Sequence, residues 1–84
     1  MPIAPPTPAL PEIAVDARGH RCPVPTLRLR RALELAQPGQ AVALTADDPL
    51  VRIDAPHFLT SEGHALVEIV DLPKAILVRC RKRH

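Results

Sequence analysis

Aromatic residues are almost missing from this 84-residue chain, which has one Phe, no Tyr and no Trp. Its core must therefore be built from Leu, Val, Ile and Ala. Phe58 is the single ring on which a base could stack, which argues against a single-stranded nucleic-acid binder. Cysteine is scarce too: Cys22 and Cys80 make no framework of the kind that staples small secreted domains, and they fit a reducing cytoplasm better. They also lack the paired spacing of a zinc site, so neither a metal nor an organic cofactor is required. No apolar run approaches a membrane span, and the N-terminus has neither the basic start nor the continuous apolar stretch of a signal peptide. The formal net charge of +2 is too small to imply a polyanionic partner by itself.

Proline, by contrast, is plentiful at eleven residues, and five of these fall between Met1 and Pro11. That segment carries no charge and cannot be a helix, so residues 1–11 read as an extended, flexible extension. Pro5 and Pro8 have P-x-x-P spacing, but a plain extension is the simpler reading. The remaining 12–84 are enough for one domain, and a chain this small buries only about 60 to 65% of its unfolded surface.

Within that domain the apolar periodicity alternates between strand and helix. A first strand is expected over Glu12 to Asp16, ended by Gly19, and a first helix over Pro23 to Ala36, stopped by Pro38-Gly39. On that helix Pro25, Leu29, Ala32, Leu33 and Ala36 fall on one stripe that should face a sheet, leaving Leu27 roughly opposite and Arg28, Arg30 and Arg31 flanking or opposing it. A second strand covers Ala41 to Ala46. Asp47-Asp48-Pro49 then has the acidic cap and early proline of a helix start. Because Pro56 interrupts the next apolar stretch, a turn is expected over Pro49 to Ile53 and a helix over Ala55 to Glu62, capped by Asp54 and ended by Gly63. Val51, Phe58 and Leu59 should pack on the sheet. Strands at Ala65 to Val70 and Ala75 to Arg81 form a hairpin in which Cys80 shares phase with Ile76 and Val78 and so points into the core. His57 and His64 read as surface or satisfied structural residues, and the basic C-terminus as a solvated tail open to an acidic partner or a phosphate. The order is βαβαββ: an α/β two-layer sandwich with a mixed four-stranded sheet and both helices on one face.

The chemistry concentrates where the first strand hands over to the first helix, in Asp16-Ala17-Arg18-Gly19-His20-Arg21-Cys22-Pro23-Val24-Pro25. First-turn N–H groups lack intrahelical partners and carry partial positive charge, so Cys22 at that junction is expected to ionise readily, with a pKa near 7 or lower, aided by Arg18 and Arg21. Pro23 suits the first helical position, and Pro25 is tolerated in the first turn. Together they stiffen the loop and aim the sulfur. The position of a resolving C-x-x-C thiol is taken by Pro25, so a group attached to Cys22 would stay until another protein removed it. The competing reading is a structural cysteine that happens to precede a helix.

The pattern D-x-x-G-x-x-C-P-x-P followed by L-R-L-R-R-A-L resembles the TusA-type sulfur carriers, with their SirA and YedF relatives. The resemblance runs from about Glu12 to Arg81 and includes a second block, T-A-D-D-P, then D-x-P-x-F and G-H. His20 departs from it, since many members have an apolar residue there. The resemblance implies that Cys22 carries sulfane sulfur as a persulfide. The donor would be a cysteine desulfurase or rhodanese-like protein and the receiver a downstream acceptor protein, making the chain a carrier in a relay more than a free-standing enzyme. The destination stays open among tRNA thiolation, cofactor synthesis, molybdoenzyme maturation and sulfur oxidation. Arg21, Leu27, Arg28 and Arg31 are the expected partner-binding residues, because a carrier needs a recognition surface beside its cargo. Two other readings stand beside this one: a regulatory or nucleic-acid-binding module using the basic residues, and a redox module pairing Cys22 with Cys80.

Overall fold

The computed structural model describes residues 10–84, so the proline-rich extension, its P-x-x-P spacing and any contact it makes with Leu27 lie outside the described residues except for Leu10 and Pro11. The elements follow the expected order: β1 (Ile13–Asp16), α1 (Val24–Leu35), β2 (Ala41–Ala46), α2 (Val51–Ser61), β3 (Ala65–Leu72) and β4 (Ala75–Arg81). The four strands form one mixed sheet in the order β1-β2-β4-β3. β1 runs parallel to β2 with Val15 opposite Leu44, and β4 lies antiparallel between β2 and β3.

One face of this sheet carries the core. Cross-strand partners Val42 and Cys80, Leu44 and Val78, and Ala46 and Ile76 are all buried, and both helices cover them. From α1 come the whole anticipated stripe of Pro25, Leu29, Ala32 and Leu33, with Ala36 just beyond it. From α2 come Val51, Ala55 and Leu59, with Phe58 packed partly buried beside them. Each fully buried Leu or Val of this set contributes about 1.5 to 3 kcal/mol relative to exposure. The opposite face carries Ala43, Leu77 and Val70 together with polar pairs such as Arg79 with Glu68 at 2.9 Å and with Glu12 at 3.3 Å.

The second helix departs from expectation. It begins at Val51, four residues earlier than predicted, and runs straight through Pro56. Asp54 makes no capping bond. Asp48 organises the start instead: its Oδ1 accepts the Leu50 N–H at 2.9 Å, and its carbonyl accepts the Val51 N–H at 3.0 Å. A helical proline forfeits one backbone bond, but Val51, Ala55 and Leu59 stand on one buried stripe only if the helix is continuous, and that burial decides the outcome. β3 is also longer than predicted, leaving Pro73-Lys74 as the whole turn, and it carries an irregularity between Leu66 and Glu68.

The basic C-terminus is structural. Lys82 Nζ donates to the Leu33 carbonyl at the end of α1 at 2.7 Å, and Arg83 Nη1 donates to the Glu62 carbonyl after α2 at 2.6 Å. Cations on these orphan carbonyls complement the helix dipoles. His64 is satisfied as expected, its Nδ1 accepting the Arg83 N–H at 3.0 Å.

Candidate functional site

The loop from Ala17 to Pro23 leaves the C-terminal end of β1 and is held from the neighbouring β2–α2 connection. Ala17 extends the parallel ladder by donating its N–H to the Thr45 carbonyl at 2.8 Å. Gly19 then adopts φ +83° with no atom near where a Cβ would stand, so glycine is needed there for the backbone angle and not for space. Its N–H donates to Asp47 Oδ2 at 2.9 Å. Three residues later the Cys22 N–H donates to Asp48 Oδ2, also at 2.9 Å. Asp16 meanwhile takes three bonds from Arg18, two at Oδ1 and one at Oδ2, which hold its carboxyl down to about 2.

The Cys22–Pro23 peptide bond is cis. Pro23 is the residue before the helix and not its first one; Val24 opens α1 and Pro25 follows, fully buried. The cysteine itself is half-buried and free. It opens into a cleft of about 460 Å³ whose other walls include His20, Arg21, Asp47, Asp48 and Leu50.

The expected acidic thiol is not what this geometry produces. The Cys22 pKa is raised above the ordinary thiol value, first by burial, then by the neighbouring Asp54 carboxylate and the negative charge of Asp48; the Thr26 hydroxyl opposes them. The helix start offers little relief. Pro23 and Pro25 have no N–H, the Val24 N–H goes to the Arg21 carbonyl at 3.0 Å and the Leu27 N–H to the Pro23 carbonyl at 2.9 Å. Neither arginine compensates, because Arg18 is locked on Asp16 and the charge of Arg21 acts on Asp48.

The anticipated recognition residues separate into two groups. Arg21 lines the Cys22 cleft, and Leu27 is 54% exposed on α1. Arg28 and Arg31 face a different groove along β1, with Ile13, Ala32 and Leu35. There Arg28 Nη1 donates to the Asp16 carbonyl at 2.6 Å and Arg31 pairs with Glu34 at 3.6 Å. Sequence reasoning misses Asp47, Asp48, Asp54 and Thr26 as neighbours of the sulfur, and Leu50 and Ile53 as exposed apolar residues, at 51% and 67%. The D-D-P block is the available signal: locally it has the pattern of a helix start, and its second task of holding another loop is a matter of tertiary position.

Cys80 lies fully buried in β4. Its thiol donates to the Val42 carbonyl at 3.5 Å and its pKa is pushed up to about 11, chiefly by burial. It pairs with Val42 near the start of β2, whereas the Cys22 loop is tied to Thr45 at the other end of that strand and to Asp48 beyond it. Three or more strand residues separate them, roughly 10 Å at about 3.3 Å per residue, which is beyond the span of a disulfide.

The described residues form a small α/β sandwich that presents one accessible thiol from a clamped loop. The family model described as sulfurtransferase TusA matches residues 13–82, and the chain belongs to that family. A crystal structure of a SirA-like protein from Desulfitobacterium hafniense is similar to it, with a TM-score of 0.74 at 27% sequence identity over 86% of this chain and 99% of the other. Membership assigns the chain a role in sulfur transfer. Among the described residues no helix is long and apolar enough to cross a membrane.

Proposed function

We propose that the protein is a cytoplasmic sulfur carrier that holds sulfane sulfur as a persulfide on Cys22, between a cysteine desulfurase or rhodanese-like donor and a downstream acceptor protein. Residues 12–84 form the carrier domain. The observation that carries this reading is the contrast between the two thiols: Cys22 stands at the mouth of an open cleft, while Cys80 is buried and bonded. In loading, Cys22 Sγ bonds to the terminal sulfur of the donor's persulfide as the donor's S–S bond breaks. The electron pair stays on the donor's cysteine sulfur, which takes up the proton that Cys22 gives up, and no net oxidation occurs. Delivery runs the same exchange onto the acceptor.

Pro23 and Pro25 have positioning roles, the first as the residue that leads from Cys22 into α1 and the second anchoring the helix start in the core. Arg21 and Leu50, which line the cleft, and the exposed Leu27 and Ile53 serve as the recognition rim. Arg28 and Arg31 serve recognition from the separate β1 groove. No cofactor takes part, and turnover depends on the two partner proteins, so the chain acts as a relay component and not as an enzyme by itself.

The test is mass spectrometry after incubation with a sulfur donor. Wild type should gain one sulfur mass that a thiol acceptor removes, and Cys22→Ser should gain none. Equal loading of Cys22→Ser would end the proposal.

A further inference from the structure

Thr26 is the residue at this site whose bonding is incomplete. Its hydroxyl oxygen is buried and makes no hydrogen bond among the described residues. Buried hydroxyls without a partner are costly and uncommon, so each one asks for an explanation. The usual outlet for a helical threonine is the carbonyl three or four residues back. Four residues back from Thr26 is Cys22 itself, and that bond is not made.

The surroundings of the sulfur hold it in the protonated state. Asp54 on α2 and Asp48 on the β2–α2 connection both place negative charge near it. Asp47, His20 and Arg21 also line the cleft, and the charge of Arg21 acts on Asp48. The Thr26 hydroxyl is the neighbour that favours the anion. It is the smallest of the influences on the sulfur in the unloaded protein, where the hydroxyl completes no hydrogen bond. A hydroxyl hydrogen rotates to suit its acceptor, so a donor left unused by a neutral thiol can turn to the same sulfur once it is negative.

We propose that Thr26 is the anion-stabilising donor of this site, its hydroxyl idle while Cys22 is a thiol and hydrogen-bonded to the cysteine's sulfur when that sulfur is a thiolate or carries a persulfide. The persulfide half of this statement rests on the carrier reading; the thiolate half does not. An orphaned donor in the resting protein then has a use, because it makes the reactive charge state more accessible without making the resting thiol indiscriminately reactive.

The full-length protein and its Thr26→Val and Thr26→Ser variants are alkylated with iodoacetamide from about pH 6 to about pH 10, following Cys22 by mass. Thr26→Val keeps the shape and removes the donor. It should alkylate at least about threefold more slowly at neutral pH, with its titration displaced upward, as expected for losing a hydrogen bond to a charged group. Thr26→Ser should follow wild type. Thr26→Ala provides a second donor-free variant should valine prevent folding, with far-ultraviolet circular dichroism as the check. A folded donor-free variant that titrates as wild type does, or a serine variant that behaves like valine, overturns the proposal. Alkylation needs no sulfur donor, so failure of wild type to load sulfur counts against the carrier reading alone.

Discussion

Asp48 accepts the backbone N–H of Cys22 at 2.9 Å from 26 positions away in the chain. Its other carboxylate oxygen takes the N–H of Leu50, also at 2.9 Å, at the start of α2. One side chain therefore organises both the cysteine loop and the second helix, and its charge disfavours the Cys22 thiolate.

Replacing Asp48 separates these effects. Asp48→Asn removes the charge and keeps one acceptor oxygen, so the Cys22 titration should move down and alkylation at neutral pH should become faster than in wild type. Asp48→Ala removes both acceptors, leaves the Cys22 N–H without its partner and should lower the melting temperature as well. An asparagine variant with an unchanged or raised Cys22 pKa would mean that the carboxylate does not act on the sulfur electrostatically.

Cys80 gives a pH dependence of stability. Its folded pKa, about 11, lies above the roughly 8.5 of an unfolded thiol. Between those values the unfolded chain loses a proton that the folded chain keeps, so the stabilising contribution is full below about pH 8.5 and declines as pH rises toward the folded value. Denaturant midpoints should fall between about pH 8 and pH 10, and Cys80→Ala should flatten that slope while retaining sulfur loading. Loss of loading in a folded Cys80→Ala protein would show that the second thiol takes part.

Leu27 tests the recognition rim. At 54% exposure it contributes little to folding, and surface substitutions usually change stability by less than about 0.5 kcal/mol. Leu27→Glu should weaken binding of the sulfur donor, measured by calorimetry or co-elution, with the melting temperature nearly unchanged. By contrast, Leu33→Ala on the buried stripe of the same helix should cost about 2 to 5 kcal/mol. Full donor affinity in Leu27→Glu would remove this residue from the rim.

Features that repeat along the chain, or that depend on neighbours a few residues apart, could be read from the amino-acid order. The stripe from Pro25 to Ala36, the span of β2, the hairpin and the inward phase of Cys80 were all legible, because apolar periodicity records which face must leave water. So was the family, through motifs spaced along nearly the whole domain. Long-range packing set the place of β4 in the sheet, the continuation of α2 through Pro56, and the closing of the two helix ends by Lys82 and Arg83. It also reversed the expected charge state of Cys22. Local sequence places that cysteine beside prolines, arginines and a helix start, but the pKa answers to burial and to carboxylates from Asp48 and Asp54, more than two dozen residues away. Electrostatic and desolvation effects depend on distance in space, and no local pattern carries that distance.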